Sequence, residues 1–197
     1  MHKLKTLALA GLITAIGGFA SAESWTLNGD ASRVAFGSVK SDSNGEVHHF
    51  SGLSGRVSAE GAVSLTIDLA SVETNIDIRN ERMIEYVFKN APKAEIAAQI
   101  DMAEVADLAV GESTVLEADA ALTLVGSEVE LYADMYILRL SEDRVMVSTN
   151  DMIMLSMEDV GLMAGIDKLM ELADLPGITR VSPVTLRLVF DLGEQKA

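Results

Sequence analysis

Two adjacent histidines, His48 and His49, are the only imidazoles beyond His2 in a 197-residue chain that has no cysteine. Neutral imidazole makes a capable metal ligand or general base. Neighbouring side chains of a strand leave on opposite faces, however, so an unbulged pair does not close on one ion or one substrate. The missing cysteines exclude a thiolate nucleophile, a thiolate metal site and a disulfide, and no Gly-x-Ser-x-Gly elbow presents a serine to a base. Carboxylates are plentiful, but Glu128 and Glu130 have same-face strand spacing and Glu142-Asp143 reads as a hairpin tip. No Asp-x-Asp-x-Asp-Gly loop offers a calcium cage. Softness is the chemical peculiarity that remains: six methionines crowd positions 146, 152, 154, 157, 163 and 170. Unbranched and polarisable, they suit either irregular core space or a pocket for a long, flexible, apolar chain.

The elements that must position these residues are mostly strands. Val63, Leu65, Ile67 and Leu69 alternate with polar residues, as do Leu116, Ala118, Ala120, Leu122 and Leu124, and Val184, Leu186, Leu188 and Phe190. Weaker alternation predicts strands at 25–27, 33–39, 47–51, 53–59, 94–101, 129–138 and 145–148. Turn signals stand at Asn44-Gly45, Glu60-Gly61, Gly111, Gly126-Ser127 and Glu142-Asp143. Two helices are expected: 77–88, capped by Asn75 or Asp77 and ended near Pro92, and 158–173, ended by Leu175-Pro176-Gly177. Many short strands with no βαβ alternation imply an antiparallel sheet, and the pattern leaves sandwich and closed barrel both open. Ala118, Ala120 and Gly55 on apolar faces are candidates for leaving room inside.

The first 22 residues read as a secretory leader: Lys3 and Lys5, an apolar run from Leu7 to Phe19, then Ala20-Ser21-Ala22. The run is too short and too interrupted for a membrane anchor. Residues 23–197 are expected to form one exported domain, in the periplasm or secreted, without stable membrane insertion. Removing two lysines and no carboxylate takes the formal charge from −15 to about −17. Such a surface repels phosphate, which argues against nucleic-acid binding and against tight adsorption to anionic lipid headgroups.

Several short motifs recur in order: Trp25, the strand from Ser32 to Phe36, Phe50-x-x-Leu53-x-Gly55, and Asp68-Leu69-Ala70-Ser71-Val72-Glu73-Thr74 followed by Arg79. Leu122-Thr123-Leu124-x-Gly126 and Val184-Thr185-Leu186 continue the series. In these features the chain resembles the YceI family of secreted, lipocalin-like barrels that bind polyisoprenoids or other long amphiphilic lipids. The resemblance implies a mainly β fold, an antiparallel lipocalin-like barrel with one or two helices packed against or capping it. It implies a non-enzymatic carrier whose partner is a long-chain isoprenoid or acyl lipid, with no cofactor besides the bound lipid; a homodimer stays open. On this basis the apolar lining is expected from Phe36, Phe50, Met83, Val87, Phe88, Ala118, Ala120, Leu122, Met135, Met152, Met154, Leu162 and Met163. Arg79, Arg82 and His48 are the headgroup candidates, although ion pairs of Arg79 or Arg82 with Glu81 or Glu85 are the ordinary alternative for a helix. An enzyme with a His base and a surface module with a filled barrel are the competing readings.

Overall fold

Strands with one dry and one wet face must curl until the dry faces meet, and twelve do so in the computed structural model, which describes residues 24–193. The expected leader, 1–22, lies outside the described residues. In chain order the strands are β1 (Ser24–Leu27), β2 (Arg33–Lys40), β3 (Asn44–Phe50), β4 (Leu53–Val57), β5 (Ala62–Asp68), β6 (Val72–Glu73), β7 (Lys93–Gln99), β8 (Ser113–Leu124), β9 (Ser127–Ser141), β10 (Arg144–Thr149), β11 (Ile153–Ser156) and β12 (Val181–Gly193). All pair antiparallel. Eight close a ring, β1-β4-β5-β7-β8-β9-β10-β12, sealed where Ser24 to Leu27 lie opposite Gly193 to Phe190. The sandwich is thereby excluded, since the pairing of β1 with β12 joins the two ends of one sheet into a ring.

The long strand β12 also carries the barrel beyond this ring. Along one of its edges β2 takes over from β1, and β3 and β6 follow. β11 takes over from β10 on the other edge. Helices α1 (Asp77–Arg82) and α3 (Met163–Ala173), with the turn that follows α1, line the interior at this extended end; α2 (Ala103–Ala106) is a single turn elsewhere. Strands β6 and β11 and helix α2 are too short for periodicity to announce. Asn44-Gly45 lies inside β3, and the turn falls at 41–43, where Ser41 and Asp42 take positive φ.

Both helices differ from the expected ones in a way that matters for the interior. Residues 77–88 do not form one α-helix: Met83–Val87 is a π-helical turn in which the Phe88 N–H bonds the Met83 carbonyl. The wider turn carries Met83, Val87 and Phe88 inward together, all buried. Neither Asn75 nor Asp77 caps α1; Ile76 stands at that position without a side-chain bond, and Asn80 Oδ1 instead accepts from both the N–H and the hydroxyl of Thr74. α3 begins at Met163 rather than 158, because 157–162 turn tightly around fully buried Val160, with Gly161 at φ 69°.

Helix α3 touches the π-helical turn through Gly165. A Cβ there would stand 2.6 Å from both the Tyr86 carbonyl oxygen and the Val87 Cα, backbone atoms with no rotamer to escape into. Gly165→Val is therefore expected to lower stability by about 3 kcal/mol, the upper part of the overpacking range, despite the better helix propensity of valine. A urea melt checks this; an unchanged midpoint would mean that the helices do not need this contact.

Candidate binding cavity

The interior is hollow. A cavity of about 550 Å³ runs between the barrel strands and the two helices, within the usual range for small-molecule sites. The alternating faces read from the sequence point into it, among them Val63, Leu65 and Ile67 of β5, Leu116 and Leu122 of β8, and Leu186 and Leu188 of β12. Room arises where alanines meet across strands. Ala98 lies opposite Ala120 and Ala118 opposite Ala133, so the wall of β7, β8 and β9 carries methyl groups where leucines would fill the space. Gly55 adds none of this room: its missing Cβ would meet the Ser64 carbonyl oxygen at 2.6 Å, and Leu65 already occupies the space before it.

Ten of the expected apolar residues line the cavity: Phe36, Phe50, Met83, Val87, Phe88, Ala118, Ala120, Leu122, Met135 and Leu162. Three do not. Met152 and Met154 face solvent, 64% and 60% exposed, because the parity of β11 turns Ile153 and Leu155 inward in their place. Met163, at the start of α3, points toward Arg180, whose Nη1 lies 4.0 Å from its sulfur, and Ile166 and Leu169 take the inner face of the helix. The four residues of β11 are too few for alternation to single out Ile153 and Leu155, and the cluster of methionines stands out instead.

One end of the cavity is polar, and it is built from segments far apart in sequence. Glu46 of β3 accepts from Lys40 Nζ at 2.8 Å and from Arg79 Nη1 at 2.6 Å, and Arg79 Nη2 donates to the Thr74 carbonyl at 2.7 Å. Sequence reading did not bring Lys40 or Glu46 here. Two cations against one carboxylate leave this end positive in an otherwise acidic protein. Burial opposes ionisation of Glu46, but Lys40 and Arg79 outweigh it and hold the carboxyl below its ordinary value. His48, only 4% exposed, shares a hydrogen bond of 3.2 Å between its Nε2 and the Ser38 hydroxyl, while its Nδ1 and the Nε of Arg79 are buried without partners among the described residues. His48, Phe36, Phe50 and Phe88 form a file of rings with centroids 5.3 to 5.8 Å apart, leading from the polar end into the apolar interior.

The helical arginines do not pair with Glu81 or Glu85. Arg79 pairs with Glu46, and Arg82 donates to the Leu172 carbonyl at 3.3 Å in the last turn of α3, which complements the negative end of that helix. Arg82 still belongs to the cavity wall. The two histidines face opposite ways, as strand geometry requires: His48 inward, His49 outward opposite Glu73.

Burial first, and the charge of Arg79 second, lower the His48 pKa below the ordinary imidazole value. The unfolded chain therefore takes up this proton more readily than the folded one. The protein is expected to keep this contribution in full above about pH 7.5 and to lose it progressively as the pH falls below about 6.5 toward the depressed native value. Glu46 acts in the same direction but in a lower window: its folded-state pKa is also depressed, so its contribution stays intact until the pH drops into the carboxylate range. Urea midpoints at about pH 8 and about pH 5.5 separate the two, since His48→Gln is expected to flatten the difference. An equal difference in the variant would assign the acid sensitivity elsewhere.

Comparison with known proteins places this geometry. A family model described as the YceI-like domain matches residues 25–173. No curated protein matches the chain. Among solved structures, a polyisoprenoid binding domain from Saccharophagus degradans implicated in plant cell wall breakdown is 37% identical with a TM-score of 0.84, the alignment covering 86% of this chain and 98% of that one. BcnA from Burkholderia cenocepacia is 14% identical with a TM-score of 0.62, covering 83% of this chain and 98% of its own, a likeness of fold.

Proposed function

This chain belongs to the YceI-like domain family, and we propose that it is an exported, non-enzymatic carrier of a long-chain amphiphile, a polyisoprenoid or a comparable acyl lipid, held inside the barrel. The observation that carries this reading is an apolar cavity of about 550 Å³ with one positive end, where a buried imidazole nitrogen and a buried guanidinium N–H lack partners among the described residues. Each methylene moved from water to such an interior contributes roughly 0.8 kcal/mol. Ten chain carbons then supply about 8 kcal/mol, enough to offset much of the cost of immobilising a ligand. The Arg79 Nε–H, which would otherwise stay unpaired, selects a head bearing an oxygen acceptor, since an unmet buried donor costs about 1–3 kcal/mol.

Binding rather than catalysis fits the polar end. Its imidazole has one hydrogen-bond partner, the Ser38 hydroxyl, and no carboxylate bonded to it to orient a base. The leader-like N-terminus and the strongly acidic composition suit a protein that carries an insoluble chain through an aqueous compartment, which we place in the periplasm. Organic extraction of the purified protein followed by mass spectrometry tests the reading directly. One equivalent of an isoprenoid or acyl lipid per chain is expected, with a matching mass shift in the native spectrum. A lipid-free protein that also takes up no added polyprenol, prenyl quinone or long-chain fatty acid would refute it.

A further inference from the structure

The barrel wall has a seam. β10 pairs with β9 from Met135 to Ser141, and β11 pairs with β12 alone, so among the described residues the first half of β9 has β8 on one side and no strand on the other. The last link across the seam is the Asn150 N–H to the Asp134 carbonyl, at 2.8 Å. Because main-chain groups alternate between the two edges of a strand, those of Glu128, Glu130 and Tyr132, which share the parity of Asp134, face the gap. Outside it lies a groove of about 540 Å³. Leu131, Ala133 and Ile153 line both this groove and the inner cavity, so the wall here is one residue thick.

The groove is both acidic and apolar. Glu117, Asp119, Glu130, Asp134 and Asp151 line it with Tyr132, Met152 and Met154, which are 60–69% exposed. No lysine or arginine lines it, and none of the five carboxylates is ion-paired among the described residues. Glu117 stands directly opposite Asp134, a like-charge pair that weakens the sheet. Carboxylates on an open edge repel a second copy of the same chain and favour a partner of opposite charge.

We propose that the seam is a docking site for an extended, basic segment of a partner protein, which adds as a strand to the open edge of β9. Its main chain pairs with Glu128, Glu130 and Tyr132, its lysines or arginines meet the five carboxylates, and its apolar residues pack on Met152, Met154 and Tyr132. The probe is a labelled synthetic peptide of about eight residues alternating Lys and Val, a typical strand length. Its affinity is expected to fall at least tenfold in the variant Glu130→Gln/Asp134→Asn/Asp151→Asn. The variant Glu60→Gln/Glu81→Gln/Glu104→Gln, with the same charge change away from the groove, is expected to move it less than about twofold, the size of a screened surface effect. The same peptide N-methylated along its main chain, charged but without main-chain donors, is expected to bind at least tenfold more weakly, and the unmodified peptide is expected to slow amide exchange at Glu128, Glu130 and Tyr132. Equal loss in both variants, equal binding of the methylated peptide, or no binding at all would each overturn the docking site. None of these outcomes depends on whether the cavity holds a lipid.

Discussion

Ala120→Phe is expected to abolish lipid loading without unfolding the barrel. Ala120 lies on the inner face of β8 beside Ala98, in the part of the wall where methyl groups alone define the space. A phenyl ring there takes the volume of about four chain carbons, which removes roughly 3 kcal/mol of burial from the ligand, or about a hundredfold in affinity. The same ring fills a void, so the thermal midpoint is expected to hold or rise, unlike that of an overpacked core. Ala121→Phe, one residue along and off the cavity wall, is the control and is expected to load normally. The measurement is the lipid-to-protein ratio after extraction, with a melt on the same sample. A full lipid complement in Ala120→Phe would show that the ligand does not lie in the barrel.

Arg79→Met is expected to separate recognition of the head from burial of the chain. The substitution removes the buried Nε–H that has no partner among the described residues and leaves Glu46 with Lys40 alone. Hydrogen bonds to charged groups contribute about 1.5–3 kcal/mol, so affinity for a lipid with an oxygen-bearing head is expected to fall roughly 10- to 100-fold. A hydrocarbon of the same chain with no head is expected to bind both proteins alike. The ion pair is about one-fifth exposed on each side and contributes modestly to stability, so the fold is expected to survive. Arg79→Lys is expected to rescue poorly, because an ammonium on a flexible stem does not reproduce the planar donor set that reaches Glu46 and Thr74 together. Equal losses for both ligands would make Arg79 a structural residue of the barrel mouth.

What could be read from the chain alone was the local chemistry and the local parity. The absence of cysteine, the acid excess, the separation of His48 from His49 and the inward faces of β5, β8 and β12 all follow from residue type and a two-residue repeat, which need no knowledge of neighbours. Ordered motifs across the chain pointed to the family. Parity failed where the repeat was too short to count: β11 has four residues, and its methionines drew attention while Ile153 and Leu155 faced the cavity.

Tertiary structure alone decided closure and convergence. Whether the sheet is a sandwich or a barrel depends on β1 meeting β12, a pairing between the two ends of the domain that no local pattern encodes. Lys40, Glu46, His48 and Arg79 form one polar end only because β2, β3 and α1 pack there, and the π-helical turn that brings Met83, Val87 and Phe88 inward arises against the backbone of α3 at Gly165. Side-chain direction along a strand is a property of the covalent chain. Which directions meet, and whether they leave a void, depends on long-range register and on packing between distant segments.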